Sequence, residues 1–134
     1  MNNNMAMRYI WVLAMLACLM TGCRQKSVIP GLESVDAETF QTQITAGKVQ
    51  LLDVRTAKEY VGAHIEGSVN VDVMDDQFAT SVEELLDKQR TVYLYCRSGR
   101  RSKKAANLLV EKGYKVVELA TGINGWQKAG YPVK

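Results

Sequence analysis

The chain has 134 residues, of which 47% are apolar and 23% are charged, and its net charge is +3. This length allows one domain with a real hydrophobic core, and the composition is ordinary for a soluble globular protein. The charge does not suggest a nucleic-acid partner, because the positive side chains concentrate in one short segment, residues 97–104.

The first 22 residues are interpreted as a lipoprotein signal peptide that does not belong to the fold. Arg8 precedes an apolar run over residues 10–20, which is too short to span a bilayer but suits the h-region of a signal peptide. The run ends in Leu19-Met20-Thr21-Gly22-Cys23, which resembles a bacterial lipobox with Met20 where Leu is more usual. The alternatives are an uncleaved anchor helix and plain secretion.

This resemblance implies cleavage before Cys23 and lipidation of its sulfur. A short tether over residues 23–30 would then lead to the main domain over residues 31–134. The protein is expected in the bacterial cell envelope, held to a membrane through its lipid anchor and facing the periplasm or the cell surface. Cys18 is lost with the signal and Cys23 becomes a thioether, so Cys96 alone keeps a thiol. An unpaired thiol in an oxidising compartment is a liability unless it is used.

The first elements of the domain alternate between helix and strand patterns. Asp36 is predicted to cap a helix that ends near Ala46, with Gly47 as its stop. Residues 49–54 form a short apolar run typical of a strand buried on both faces. Thr56 and Glu59 have the spacing of a capping box, which predicts a short helix after that strand.

Two further elements are predicted before the centre of the chain. Residues 68–71 indicate another short strand. Ser81 and Glu84 form a second capping box, which predicts a helix that begins there and carries Val82, Leu85 and Leu86.

The most informative stretch follows the apolar run Thr91-Val92-Tyr93-Leu94-Tyr95. It reads Cys96-Arg97-Ser98-Gly99-Arg100-Arg101-Ser102 and continues into a helical pattern. A buried strand, a short loop and a helix N-terminus surround the loop with backbone N–H groups, which favour an anion. The Cys96 thiolate would be stabilised by these donors and by the neighbouring arginines, while Gly99 allows a tight turn. The alternative is a core cysteine at a strand end, followed by a solvated basic helix.

The remaining pattern completes an α/β domain. Gly113 is predicted to end the loop helix, residues 114–119 form the last strand, and a final short helix carries Ile123 and Trp126. Alternating strands and helices predict a mostly parallel sheet of about five strands with helices on both faces. Because the carboxyl ends of parallel strands share one edge, Asp53, Arg55 and Cys96 should lie at the same edge.

Four motifs in order resemble the single-domain rhodaneses, which are sulfurtransferases. They are residues 52–55 (LDVR), residues 64–70 (HIEGSVN), the Cys96 loop and residues 122–126 (GINGW). The resemblance extends from about Val28 to the C-terminus and implies a rhodanese-like fold in which the transferred sulfur is carried as a persulfide on Cys96. The implied substrate-binding residues are Arg97, Ser98, Gly99, Arg100, Arg101, Ser102 and Arg55.

The expected partners follow from this chemistry. They are a small anionic sulfur donor such as thiosulfate and a nucleophilic acceptor, either cyanide or a thiol, with a protein as a further candidate acceptor. No metal or organic cofactor is called for. The arginines of the loop are expected to be exposed cations that stabilise the thiolate, the persulfide and the donor.

Five further residues lie outside the loop. Arg55 either helps to hold the donor or pairs with Glu59 one helical turn on. Asp53 is expected to organise its loop by accepting backbone N–H bonds. His64 and Trp126 are expected to be structural, since no metal-ligand spacing includes His64 and buried aromatics usually serve packing. Thr121 stands where the rhodaneses typically have a first glycine, which questions the backbone conformation of that turn.

Two rival functions stay open at this point. A Cys-dependent phosphatase or arsenate reductase would follow Cys-x5-Arg, whereas Arg101 lies only five positions after Cys96. A loop one residue shorter makes a tighter cradle, suited to a sulfur atom more than to a tetrahedral oxyanion. A non-catalytic persulfide relay or binding module would keep Cys96 and deliver sulfur only to a protein partner.

Overall fold

The structure is a computed structural model that describes residues 28–134, so the predicted signal peptide and Cys23 lie outside the described residues. Strands and helices alternate along the described chain as β1 (Leu32–Val35), α1 (Ala37–Thr45), β2 (Gln50–Asp53), α2 (Ala57–Gly62), β3 (Val69–Asn70), α3 (Phe78–Leu85), β4 (Val92–Tyr95), α4 (Arg100–Glu111), β5 (Val116–Leu119) and α5 (Gly122–Lys128). The five strands form one parallel sheet in the order β1-β5-β4-β2-β3. Within residues 28–134, no helix combines the length and the apolar character needed to cross a membrane.

Helices cover both faces of this sheet, which confirms the predicted α/β class. Successive side chains of a strand point to opposite faces, so β4 contributes to two separate clusters. Val92, Leu94 and Cys96 pack with α3 and α4, whereas Tyr95 packs with α1 and α5 on the other face. The sheet is therefore buried on both sides, as parallel sheets require.

The first two predicted helix caps are confirmed. The Asp36 carboxylate accepts the Thr39 N–H at 2.8 Å, and this bond lowers the pKa of Asp36. Thr56 and Glu59 form the reciprocal capping box at the start of α2. Since α2 follows β2 directly, this box fixes the chain just beyond the sheet edge.

The predicted start of α3 at Ser81 is wrong. The helix begins at Phe78, its N-cap is Gln77, and Ser81 already donates its N–H to the Gln77 carbonyl at 2.9 Å inside the helix. The side chains that decide the boundary are Phe78 and Val82, both buried on one helix face at a spacing of four residues. Burial of the phenylalanine outweighs the local capping signal of Ser81.

Strand β1 was not predicted. It runs parallel to β5 at the sheet edge, with Ser34 opposite Glu118 and Val35 opposite Leu119. Glu33 and Ser34 are exposed, so the segment carries no continuous apolar run. Its strand conformation depends on pairing with a distant segment, which local sequence does not reveal.

The register brings the predicted site residues to one edge of the sheet. Asp53, at the end of β2, lies opposite Tyr95, at the end of β4. Just beyond these ends, the Val54 N–H donates to the Tyr95 carbonyl at 3.0 Å. Arg55 and Cys96 therefore emerge side by side at the carboxyl edge, as expected.

Candidate active site

Cys96 lies where β4 ends and the loop to α4 begins. Its side chain belongs to the core cluster beneath α4, and the residue is only 1% exposed. The four residues 96–99 connect the two elements, and α4 starts at Arg100 with Gly99 as its N-cap. This short connection places the N-terminal turn of α4 directly beside the sulfur.

Gly99 is required by both conformation and space. Its φ is +99°, a region that L side chains rarely adopt, and an added Cβ would lie 2.1 Å from the Ala120 carbonyl oxygen. The loop therefore presses its backbone against the end of β5. This contact turns the Gly99 N–H toward Cys96.

The sulfur lies between polar groups of the loop and of the first turn of α4. The Gly99 N–H donates to Cys96 Sγ at 3.1 Å, and the Ser102 hydroxyl lies 3.4 Å from the same sulfur. Burial acts to raise the pKa of the thiol, but the Ser102 hydroxyl and the backbone N–H groups of Ser102, Ser98 and Gly99 outweigh it, so the pKa of Cys96 lies below its ordinary value. The site is built to favour a thiolate.

The loop is fixed from the other side by the start of α5. The Ile123 N–H donates to the Cys96 carbonyl at 2.9 Å, and the Asn124 N–H donates to the Arg97 carbonyl at 3.1 Å. Gly122 has φ +60°, and an added Cβ would lie 2.4 Å from the Arg97 backbone. The motif at residues 122–126 therefore clamps the loop through main-chain atoms.

Thr121 does not disturb this turn. Its φ is −99°, which any residue adopts, and the left-handed conformation falls on Gly122 alone. The Thr121 side chain instead fills the space beside Gly125, where an added Cβ would lie 1.9 Å from the Thr121 hydroxyl. The doubt raised by the missing first glycine is thereby resolved.

The three arginines of the loop differ in their surroundings. Arg97 and Arg100 are exposed and make no ion pair within residues 28–134. Arg101 was expected to be an exposed cation, but its side chain is only 25% exposed and forms two bonds of 2.7 Å with the Glu59 carboxylate. Glu59 itself is held by the capping box, so α2 orients this arginine.

The ion pair between Arg101 and Glu59 shifts the pKa values of both groups. The Arg101 guanidinium lowers the pKa of Glu59 to about 2, against a desolvation effect that alone would raise it. The pKa of Arg101 is raised, first by its bonds to Glu59 and further by the negative charge available at Cys96. A cation fixed by Glu59 therefore lies near enough to interact electrostatically with the thiolate.

Arg55 is bound within the structure. Its guanidinium donates to the Asp53 carboxylate, with a shortest distance of 2.6 Å, and to the Ala63 carbonyl at 2.6 Å. The alternative pair of Arg55 with Glu59 is not formed, because the Glu59 carboxylate pairs with Arg101. Asp53 also accepts the Arg55 N–H at 3.0 Å, which confirms its role as a loop organiser. These contacts favour a structural role for Arg55 over contact with a donor.

His64 and Trp126 make contacts within the fold that agree with the structural roles predicted for them. His64 stacks on Tyr60 with ring centroids 4.0 Å apart, and its backbone pairs with that of Lys134. Trp126 is 3% exposed and donates its indole N–H to the Pro132 carbonyl at 2.9 Å. Within residues 28–134, no group of three or more His, Cys, Asp or Glu side chains could hold a metal ion.

Sequence reasoning missed one polar group at the site. Glu118, in the middle of β5, is fully buried and accepts the Ser102 hydroxyl at 2.8 Å, directly behind Cys96. Its second oxygen accepts the Ser34 hydroxyl at 2.6 Å. The available signal was an acidic residue inside the apolar run Val116-Val117-Glu118-Leu119, where a charged side chain has no reason to occur on packing grounds.

Comparisons with known proteins agree with this geometry. The family Rhodanese-like domain matches residues 36–129. The thiosulfate sulfurtransferase PspE of Escherichia coli (strain K12) is 38% identical over 74 residues, which cover 54% of this chain and 68% of that protein. Thiosulfate sulfurtransferase 18 of Arabidopsis thaliana is 33% identical over 112 residues, which cover 75% of this chain and 82% of that protein. A solved rhodanese-related protein from Thermoplasma volcanium superposes with a TM-score of 0.67 at 27% identity, covering 76% of this chain and 97% of that one.

Proposed function

This chain belongs to the rhodanese-like domain family, and from that membership we propose that it is a thiosulfate sulfurtransferase with Cys96 as its nucleophile. The observation that carries the proposal is the Gly99 N–H aimed at Cys96 Sγ from 3.1 Å, in a loop that lowers the pKa of the thiol. The thiosulfate sulfurtransferases similar to this chain support thiosulfate as the donor.

The reaction has two half-reactions. The Cys96 thiolate attacks the outer sulfur of thiosulfate, the sulfur–sulfur bond of the donor breaks, and sulfite leaves with the bonding electron pair. Cyanide or a thiolate then attacks the outer sulfur of the persulfide and restores the Cys96 thiolate. A covalent intermediate shared by two half-reactions predicts ping-pong kinetics.

The loop supplies electrostatic stabilisation for each anion. The Gly99 N–H points at Cys96 Sγ and stabilises the thiolate, and the orphan N–H groups at the start of α4 would stabilise the outer sulfur of the persulfide, which carries its negative charge. Arg101, held by Glu59, and the exposed Arg97 and Arg100 would attract the dianionic donor. Ser98 and Ser102 also favour the thiolate.

The intact mass of the full chain tests the proposal directly. Treatment with thiosulfate should add the mass of one sulfur atom, and cyanide should remove it with release of thiocyanate. Cys96→Ser keeps Cys18 and Cys23 and should gain no sulfur, which assigns the persulfide to Cys96. Sulfur loading without turnover toward cyanide would favour a relay that serves a protein acceptor, and the absence of loading would reject both functions.

We further propose that the protein is a lipoprotein anchored through Cys23 and facing the periplasm or the cell surface. The support is the lipobox-like run before Cys23 and the short apolar segment that precedes it. The domain would then act at the membrane surface, on donors and acceptors present outside the cytoplasm.

A further inference from the structure

Glu118 is a buried carboxyl group that packing alone does not explain. In the sheet it lies between Ser34 of β1 and Leu94 of β4, and Ser102 of α4 covers it. No lysine or arginine pairs with it in residues 28–134. Burying a carboxylate without a cation is unfavourable, so the group calls for a role beyond stability.

Glu118 is connected to Cys96 through one hydroxyl group. Ser102 Oγ lies 3.4 Å from Cys96 Sγ and 2.8 Å from Glu118 Oε1. In the thiol state, the S–H of Cys96 donates to Ser102, and the Ser102 hydroxyl donates to the carboxylate. The hydroxyl of Ser34 donates to the other oxygen, Oε2, at 2.6 Å.

The same three groups can bond in the opposite direction without movement of any heavy atom. A protonated Glu118 would donate to Ser102 Oγ, and the Ser102 hydroxyl would then donate to the Cys96 thiolate. Ser34 donates to Oε2 in both states. The polar atoms of Cys96, Ser102, Glu118 and Ser34 in this series of hydrogen bonds therefore keep a partner whether the proton resides on sulfur or on the carboxyl group.

Electrostatics favours a single negative charge in this site. A thiolate and a carboxylate joined by one hydroxyl would be like charges in a buried place, and they would repel each other. Arg101 of α4, paired with Glu59 of α2, is the charged group that interacts electrostatically with Cys96, and Arg97 and Arg100 of the loop are exposed. Toward Glu118, the neighbouring strands present only Ser34 and Leu94.

We propose that Glu118 is a positioning residue that takes up, through Ser102, the proton that Cys96 releases when it becomes a thiolate. The S–H bond of Cys96 breaks as Ser102 Oγ gains that proton, and the former hydroxyl proton of Ser102 forms the O–H bond of Glu118. Charge is conserved, because the negative charge moves from the carboxylate to the sulfur. This inference rests on the proposed function, since it concerns how the nucleophile of sulfur transfer forms.

The test is the pH dependence of Cys96 alkylation by iodoacetamide, followed on the Cys96 peptide of the full chain by mass spectrometry. Two coupled groups lose their protons in two macroscopic steps, so the native rate should rise in two steps with a plateau between them. Glu118→Gln keeps the hydrogen bonds to Ser102 and Ser34 but cannot take up the proton, so its rate should rise in one step. Ser102→Ala breaks the chain and should also give one step.

Glu33→Gln is the matched control, because this exposed glutamate on β1 lies next to Ser34 and outside the chain of bonds. It should retain both steps. A single-step native profile, or a Glu118→Gln profile that superposes on the native one, overturns the inference. If Glu118→Gln fails to fold, Ser102→Ala carries the same comparison.

A second readout detects the carboxylic acid itself. Across the plateau, the infrared spectrum of the native protein should contain the carbonyl band of a buried protonated carboxyl group, and Glu118→Gln should lack it. A native spectrum without that band refutes the inference. Neither readout requires sulfur transfer: failed thiosulfate turnover rejects the proposed function, whereas normal turnover with a single-step profile rejects this inference alone.

Discussion

Replacing Gly99 with alanine tests whether the main chain of the loop activates the thiol. Two separate costs are built into this position. The φ of +99° is unfavourable for any L side chain, and the new Cβ would lie 2.1 Å from the Ala120 carbonyl oxygen. Relief of that clash must move the loop away from β5, and the Gly99 N–H would move with it, away from Cys96 Sγ.

The structure supplies a matched control for the conformational cost. Gly113, which follows the last turn of α4, has φ +92°, but no atom lies within 4 Å of an added Cβ there. Gly113→Ala should therefore cost only the left-handed conformation, about 1–2 kcal/mol in the free energy of unfolding. Gly99→Ala should cost that amount and a further ~1–3 kcal/mol for overpacking.

Gly99→Ala should also lower the thiolate population of Cys96. A hydrogen bond to a charged group contributes about 1.5–3 kcal/mol, so losing the Gly99 N–H should reduce the thiolate population near neutral pH by about ten- to a hundredfold. The iodoacetamide alkylation rate of Cys96 measures this population, and urea unfolding measures stability. Gly113→Ala should leave the alkylation rate unchanged. Equal stability losses in the two variants, with unchanged alkylation of Gly99→Ala, would show that the loop amide does not hold the sulfur.

Three further outcomes are expected. Arg101→Ala should weaken transition-state binding of thiosulfate by about 1–3 kcal/mol, and by less at high salt. It should also lower the free energy of unfolding, because the Glu59 carboxylate loses its partner, whereas Arg100→Ala should leave that free energy unchanged. Equal urea midpoints for the two variants would contradict this. The folded-state pKa of Glu59 is lowered from 4.5 to about 2, so its ionised form stabilises the native protein at neutral pH. This stabilisation should be lost as the pH falls from about 4.5 toward 2. Native protein and Glu59→Gln should therefore differ in urea midpoint at neutral pH and converge near pH 2. Cys23→Ser should move the protein out of the membrane fraction or leave an unprocessed precursor, whereas Cys18→Ser should not; a native protein recovered in the soluble fraction would reject the anchor.

The parts of the fold that sequence predicted are those whose signals are local. Asp36 and Thr56 cap their helices through bonds three residues away, and residues 49–54 form an apolar run typical of a buried strand. The parts that sequence missed depend on distant partners. Strand β1 exists through pairing with β5, and the start of α3 is set by burial of Phe78 against the sheet.

The same division applies to the site. The position of Cys96 and the need for Gly99 follow from a strand–loop–helix pattern within a few residues. The partner of Arg101 does not, because Glu59 lies 42 positions away and reaches the loop only through the order of the sheet. The role of Glu118 was missed for the same reason. Its apolar neighbours in β5 mark it as unusual, but its bond to Ser102 joins β5 to α4 across the core, and the local sequence does not indicate that partner.

This arrangement separates what activates the thiol from what attracts the donor. The donors that contact Cys96 Sγ include main-chain N–H groups, and their positions are set by packing of Gly99 and Gly122 against neighbouring backbone. Substitution of a side chain in the loop leaves these groups in place, so the loss of an arginine should weaken donor binding while the nucleophile still forms. A change at either glycine displaces the backbone itself, so it should lower stability and thiol reactivity together. Substitutions at the two glycines should therefore change stability and thiol reactivity together, whereas substitutions of the arginines should act mainly on donor binding.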